Sequence, residues 1–203
     1  MKTLAIIFDL WDTLGTKNIS ISKTIADKFG FEGNYIFQKK YENAVQLKKW
    51  ENLEEMSKNL LTALDVAETK ENIDFTAKVF QTGIDNSVLY PGMEELLKKL
   101  NKNYILAILT NTTNFESSAP VKWGVDDIFK ENFFSWQIGS LKPAEQNYKI
   151  IFQKLKIKPA EAIFIDDAQE NVDAAKRLGI QAIKFQDVGQ LENELFELNI
   201  VKR

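Results

Sequence analysis

Asp9 stands at the end of an apolar run, Thr3-Leu4-Ala5-Ile6-Ile7-Phe8, and is followed at once by Leu10, Trp11, Asp12, Thr13 and Leu14. A short apolar run of this kind reads as a buried parallel strand, and ligands of open parallel sheets bind beyond the carboxyl ends of the strands. Asp9 is therefore expected at the mouth of a crevice. An aspartate there more often only caps a turn or the next helix, but three further segments shift the balance. The run Tyr104-Ile105-Leu106-Ala107-Ile108-Leu109 leads into Thr110 and Asn111. Gly139-Ser140-Leu141-Lys142-Pro143 sets a lysine in a turn before a helical pattern. Ala162-Ile163-Phe164-Ile165 delivers Asp166 and Asp167, with Asn171 four residues after Asp167.

The residue inventory narrows the chemistry. The chain has no histidine and no cysteine. That excludes serine–histidine triads, thiolate nucleophiles, disulfides and histidine- or cysteine-bound metals. Catalysis is left to carboxylates, lysine, hydroxyls and amides, with or without an oxygen-ligated metal. Two strand-end aspartates meeting Asp9 would repel one another without a cation, which independently favours a metal.

Taken together and in this order, the four segments resemble the four motifs of the haloacid dehalogenase-like (HAD) hydrolase superfamily. The most specific parts are Leu89-Tyr90-Pro91-Gly92, the Lys142-Pro143 pair, and Ile165-Asp166-Asp167 through Asn171, Ala174, Ala175 and Gly179. The resemblance implies Asp9 as a nucleophile forming an aspartyl-phosphate. It implies Mg²⁺ held by Asp9, the backbone carbonyl of Trp11 and Asp167, with Asp166 acting directly or through a water. Lys142 would be a point charge against phosphate and Asp9, and Thr110 and Asn111 would hydrogen-bond the phosphoryl oxygens. Thr13 would orient the first loop, and Asn171 would buttress the loop of Asp167.

Trp11 departs from the pattern. Family phosphatases typically carry there a second aspartate, which protonates the leaving group. Losing a general acid costs about 10²–10⁴ in rate, or roughly 3–5 kcal/mol. Asp12 is the candidate replacement, but successive side chains of an extended chain point to opposite faces, which favours a plain turn or capping role for it. Three readings stay open. A Mg²⁺-dependent phosphatase of a small phosphorylated metabolite ranks first. A weak or inactive phosphate- and metal-binding protein ranks second. A 2-haloacid dehalogenase ranks third, because arginine occurs only at Arg177 and Arg203 and the expected halide-binding arginine is missing.

The elements that position these residues follow from periodicity and capping signals. Alternating strands and helices imply an α/β fold with a doubly wound, Rossmann-like parallel sheet. Residues 1–16 and 87–203 form this core, and residues 17–86 form a small helical bundle that the resemblance makes a cap. In the insert, helices are expected around Ile21–Phe29, from Ile36 to Trp50, from Asn52 through Leu64, and from Ile73 to Ile84. Asn52 with Glu55 reads as a capping box. In the core, helices are expected over Met93–Leu100, Ser117–Lys122, Glu145–Lys156, Asn171–Leu178 and Gln190–Leu198. Strands are expected near Phe133–Trp136 and Gln181–Phe185. Hinges are expected near Gly15–Asn18 and Asn86–Tyr90.

Composition closes off other classes. The 203 residues are 44% hydrophobic and carry a formal charge of −3, so no basic footprint argues for nucleic acid. No signal peptide or membrane span is legible, and a cytoplasmic location with no membrane partner is expected. Lys39, Lys40, Lys48, Lys49 and Trp50 are within reach of a substrate, although lysines at such spacing usually form a wet helical face. Oligomeric state is not encoded in any feature of the sequence.

Overall fold

The apolar run before Asp9 forms β1 (Ala5–Phe8), the middle strand of a five-stranded sheet. The computed structural model describes residues 2–202. After β1 the chain makes the two-residue strand β2 (Gly15–Thr16) and then four helices: α1 (Ile21–Phe29), α2 (Tyr35–Val45), α3 (Leu53–Ala63) and α4 (Lys70–Asp85). It returns through β3 (Val88–Leu89), α5 (Met93–Leu100), β4 (Ile105–Thr110) and α6 (Ala119–Lys122). The remainder is β5 (Glu131–Phe134), α7 (Ser135–Ile138), α8 (Glu145–Leu155), β6 (Ala162–Asp166), α9 (Gln169–Arg177), β7 (Gln181–Lys184) and α10 (Val188–Glu197).

The large sheet has the order β5-β4-β1-β6-β7, and every pairing in it is parallel. From β1 the chain winds outward through β4 and β5, then crosses back to place β6 on the other side of β1. That reversal opens a crevice at the carboxyl ends of β1 and β6. Asp9 follows β1, and Asp166 and Asp167 lie at the end of β6.

Both faces of β1 are buried. Ile6 and Phe8 join a core that includes α5 and α10 residues, while Ala5 and Ile7 join one with α8 and α9 residues. Each large apolar side chain so buried contributes about 1.5–3 kcal/mol. Asp9 therefore hangs from the most firmly held segment of the sheet.

The four helices α1–α4 build a third apolar cluster of their own, including Ile25, Tyr41, Trp50, Met56, Leu60 and Phe80. Side-chain caps start each helix: Ser20, Asn34, Asn52 and Thr69 accept from the backbone N–H three residues on. Thr69 starts α4 at Lys70, one turn earlier than the apolar pattern from Ile73 indicates. The box at Asn52 is half formed, since Glu55 accepts from the N–H of Glu51 instead of returning to Asn52. Helix α2 stops at Val45 and does not reach Trp50. Its last carbonyls are satisfied from outside, with the Trp50 indole donating to Val45 at 2.8 Å and the Asn59 amide to Ala44 at 2.8 Å.

Trp136 is not in a strand. After Phe134 the chain turns into the single-turn α7, because the Ser135 hydroxyl is drawn inward, accepting from Thr112 N–H and donating to the Gln46 carbonyl. The pairing of β2 with β3 was not legible either: a two-residue antiparallel ladder, Gly15 with Leu89 and Thr16 with Val88, joins the two connections to the helical unit. No helix among the described residues is long and apolar enough to cross a membrane.

Candidate active site

The register of the sheet brings the first and last motifs together. Phe8 is level with Ile165, and Asp9 N–H donates to the Ile165 carbonyl at 2.8 Å. Carboxylate oxygens of Asp9, Asp166 and Asp167 consequently lie within 4.8 Å of one another. Lys142, carried on the loop before α8, reaches between two of them, with Nζ 2.6 Å from Asp9 Oδ1 and 2.6 Å from Asp166 Oδ2. All three of these side chains are buried.

Burial alone would push the Lys142 ammonium down, but the Asp166 and Asp9 charges outweigh it and hold the lysine protonated well above its ordinary range. Burial raises the Asp9 carboxyl to about 6, with Lys142 lowering and Asp166 raising it. Asp167 is raised to about 7, first by burial and then by Asp9 and Asp166. Three carboxylates against one ammonium leave the cluster short of positive charge.

The carboxylates divide by what already holds them. Asp166 accepts from Ala168 N–H at 2.8 Å, from Asn171 Nδ2 on its two oxygens at 3.0 and 3.1 Å, and from Lys142. Its oxygens are committed to the protein. Among the described residues no such donor meets the Asp167 carboxylate, and the Asp167 backbone N–H donates to Thr13 Oγ1 at 3.1 Å. Thr13 thus ties the first loop to the fourth segment. Asn171 braces Asp166, not the loop of Asp167 as the sequence suggested, because Asp166 faces the first turn of α9.

The oxygen donors suit a hard divalent cation. The side chain of Asp167, the second oxygen of Asp9 and the Trp11 carbonyl, which accepts no backbone hydrogen bond among the described residues, are all available. Such an all-oxygen set fits Mg²⁺.

Thr110 is buried at the end of β4, with its hydroxyl lacking a protein partner but close enough to Asp9 to favour the ionised carboxylate. Asn111 lines the cavity, yet its amide oxygen accepts from Lys142 N–H at 2.7 Å and its amide nitrogen donates to the Lys142 carbonyl at 3.1 Å. Trp11 packs into the core side: its indole donates to Thr112 Oγ1 at 3.1 Å and its ring meets Trp123 edge-on at 5.7 Å. Asp12 does not point away as an extended chain would have it. Its φ of 57° and its N–H bond to the Gly15 carbonyl at 2.7 Å turn the loop, and Asp12 lines the same cavity as Asp9.

A family model for haloacid dehalogenase-like hydrolases matches residues 3–179. The chain belongs to that family. This HAD hydrolase is 29% identical over 103 residues to the phosphoglycolate phosphatase of Pseudomonas putida, covering 48% of this chain and 36% of that one. It is 27% identical over 104 residues to the D-ribitol-5-phosphate phosphatase of Bacteroides thetaiotaomicron, covering 47% of this chain and 50% of that one. The match spans a quarter to a half of the length of these curated relatives and of rat bifunctional epoxide hydrolase 2. Among solved structures, a HAD-family enzyme of B. thetaiotaomicron in complex with magnesium and inorganic phosphate superposes with a TM-score of 0.66 at 21% identity, covering 93% of this chain and 98% of that one.

Sequence reasoning missed several groups around the HAD site. Lys17, half-buried, forms an ion pair with the buried Glu116 at 2.6 Å and lies 4.3 Å from the Trp11 ring centroid. Tyr41 and Gln46, both buried, line the cavity from α2 and its C-terminus. Tyr148 donates to the Asn171 carbonyl at 3.0 Å from below. None of these carries a motif, and only tertiary packing brings them to the crevice. Conversely, Trp50 is buried in the helical unit, and Lys48 covers its ring at 4.0 Å. Lys39 is paired with Glu42 and Glu170.

Proposed function

We propose that this hydrolase is a Mg²⁺-dependent phosphatase of small phosphomonoesters that works through an aspartyl-phosphate on Asp9, with the α1–α4 unit as its cap. The observation that carries the reading is Asp9 at the switch point of the sheet, beside Lys142 and facing the uncommitted oxygens of Asp167 and the Trp11 carbonyl. The kinship with phosphoglycolate and D-ribitol-5-phosphate phosphatases supports the same substrate class.

Asp9 attacks phosphorus, the bond from phosphorus to the ester oxygen breaks, and the leaving alkoxide takes a proton. Water then attacks the aspartyl-phosphate, releasing inorganic phosphate and restoring Asp9. Lys142 aims the Asp9 carboxylate and offers positive charge to the phosphoryl oxygens. Thr110 offers its unpartnered hydroxyl, and Asn111 fixes Lys142 through its backbone. Asp12 is the carboxyl that delivers the proton, since Trp11 has none to give. When bound, Mg²⁺ supplies the charge that draws phosphate toward three carboxylates.

The cap closes over the site. Trp50 N–H donates to Asn114 at 2.9 Å, the Asn114 amide donates to the Trp50 carbonyl at 3.2 Å, and Lys39 meets Glu170 at 3.3 Å. These contacts hold the helical unit against loops of the core, with Asp9 in the cavity between them.

Phosphate release from a panel of sugar, nucleotide and amino-acid phosphates, with and without Mg²⁺, tests the reading. Turnover is expected only with Mg²⁺, and acid quenching during turnover should trap phosphate on Asp9. Asp9→Asn should lower turnover by at least about 10⁴-fold while leaving the circular dichroism spectrum intact. A binding protein with no turnover is the second reading, favoured by the indole at position 11.

A further inference from the structure

The cavity above Asp9 has a volume of about 640 Å³, within the range of about 300–1,000 Å³ common for small-molecule sites. One end holds the carboxylates and Lys142. The other end is closed by the helical unit, and its charges are already spent on one another. Lys17 is 2.6 Å from Glu116, a carboxylate with no exposed surface. Glu42 and Glu170 both meet Lys39, at 3.1 and 3.3 Å. No cation at this end is left uncommitted among the described residues.

The groups that do lack partners are neutral. Gln46 is buried, its amide oxygen accepts no hydrogen bond, and its backbone is pinned by Ser135 and by the end of α2. Tyr41 is 3% exposed, its ring stacks on Phe80 and Phe37, and its hydroxyl makes no hydrogen bond among the described residues. Burial, with Glu116 and Glu42 nearby, holds that phenol well above its ordinary range, so it stays a neutral donor. Buried polar groups without partners are uncommon in folded proteins. The Gln46 amide oxygen is one such group, and with the unbonded Tyr41 hydroxyl on the same cavity wall it marks the place where a ligand completes the hydrogen bonding.

We propose that Tyr41 and Gln46 form a leaving-group subsite that takes a neutral, polyhydroxylated alcohol, a polyol or sugar, and discriminates against an ester bearing a second carboxylate. Hydroxyls both donate and accept, which matches an amide and a phenol together. A carboxylate would find no free cation at this end and would face Asp12 and the cluster around Asp9. A site built to hydrogen-bond hydroxyls rejects ligands that leave its polar groups unpaired. The assignment rests on the phosphatase reading for the identity of the other end of the substrate.

Ribitol 5-phosphate and phosphoglycolate are the two probes. Steady-state kinetics with Mg²⁺ should give a kcat/KM for ribitol 5-phosphate at least about tenfold above that for phosphoglycolate. Gln46→Met and Tyr41→Phe preserve shape and should each lower that ratio by about fivefold, the loss of one hydrogen bond. Calorimetric titration of Asp9→Asn with the same esters and Mg²⁺ reads the subsite without turnover. Preference for phosphoglycolate, or a ratio that neither variant moves, overturns the subsite. If no ester is hydrolysed but ribitol 5-phosphate binds the Asp9→Asn protein more tightly than phosphoglycolate, the catalytic reading fails and the subsite stands. Equal binding of the two esters overturns the subsite even if phosphatase activity is found.

Discussion

Asn111 clasps the backbone of Lys142 at two points, accepting from its N–H at 2.7 Å and donating to its carbonyl at 3.1 Å. The clasp joins the end of β4 to the loop before α8, and so sets where the ammonium stands between Asp9 and Asp166. Asn111→Ala is expected to lower kcat by about 10–100-fold, because a small misplacement of a charged group is costly in an oriented site. KM should move less than threefold, an order-of-magnitude bound for a residue whose amide is spent on the protein. A rise in KM at constant kcat would instead make Asn111 a direct phosphate ligand.

Metal binding should be visible without turnover. A ligand present at 100 times its dissociation constant stabilises the native state by about 2.7 kcal/mol. For a chain of this size that corresponds to a rise in Tm of about 5–10 °C. Asp167→Asn should abolish the rise on adding Mg²⁺, whereas the Asp166 carboxylate, already holding Ala168, Asn171 and Lys142, is needed for the fold of the site itself. Differential scanning calorimetry of wild type and Asp167→Asn decides it. An undiminished shift in the variant would move the cation elsewhere.

Proton delivery is separable by leaving group. Asp12→Asn should slow esters of poor leaving groups by about 10²–10⁴, and an activated aryl phosphate much less. Trp11→Asp should not rescue the lost step. Removing an indole that bonds Thr112 and packs on Trp123 costs about 3–5 kcal/mol of stability, and activity should fall on every ester. Rate ratios for a sugar phosphate against an aryl phosphate give the answer. Equal losses on both in Asp12→Asn would remove it from proton transfer.

The β2–β3 ladder tolerates no side chain at Gly15. A Cβ there would lie 2.3 Å from the Val88 carbonyl oxygen and 2.7 Å from the Trp123 ring, closer than atoms can approach. Gly15→Ala is expected to break the β2–β3 ladder and lower stability by about 1–3 kcal/mol. Spin labels on α2 and α9 should then report a broader spread of cap-to-core distances than in the wild type. In the wild type, the distances should contract on adding Mg²⁺ and inorganic phosphate. A distribution identical in wild type and variant would show that the ladder does not control the cap.

The strands that carry chemistry were legible because their signal is local. Apolar runs such as those before Asp9 and Asp166 read as buried strands on their own, their final carboxylates gained meaning only from the four segments taken together, and the Asn52 cap follows from a neighbour three residues away. The absence of histidine and cysteine likewise bounded the chemistry before any contact was known. Tertiary structure alone decided which donor each acceptor meets. Asn171 braces Asp166 because α9 starts directly under it, and Trp50 leaves α2 to cap Val45. Asp12 faces the cavity because a left-handed turn replaces the extended chain that side-chain alternation presumes. The Lys17–Glu116 pair joins segments about a hundred residues apart, and only the fold brings Tyr41 and Gln46 to the cavity that holds Asp9. Hydrogen bonding and desolvation depend on distances across the fold, and sequence spacing does not encode them.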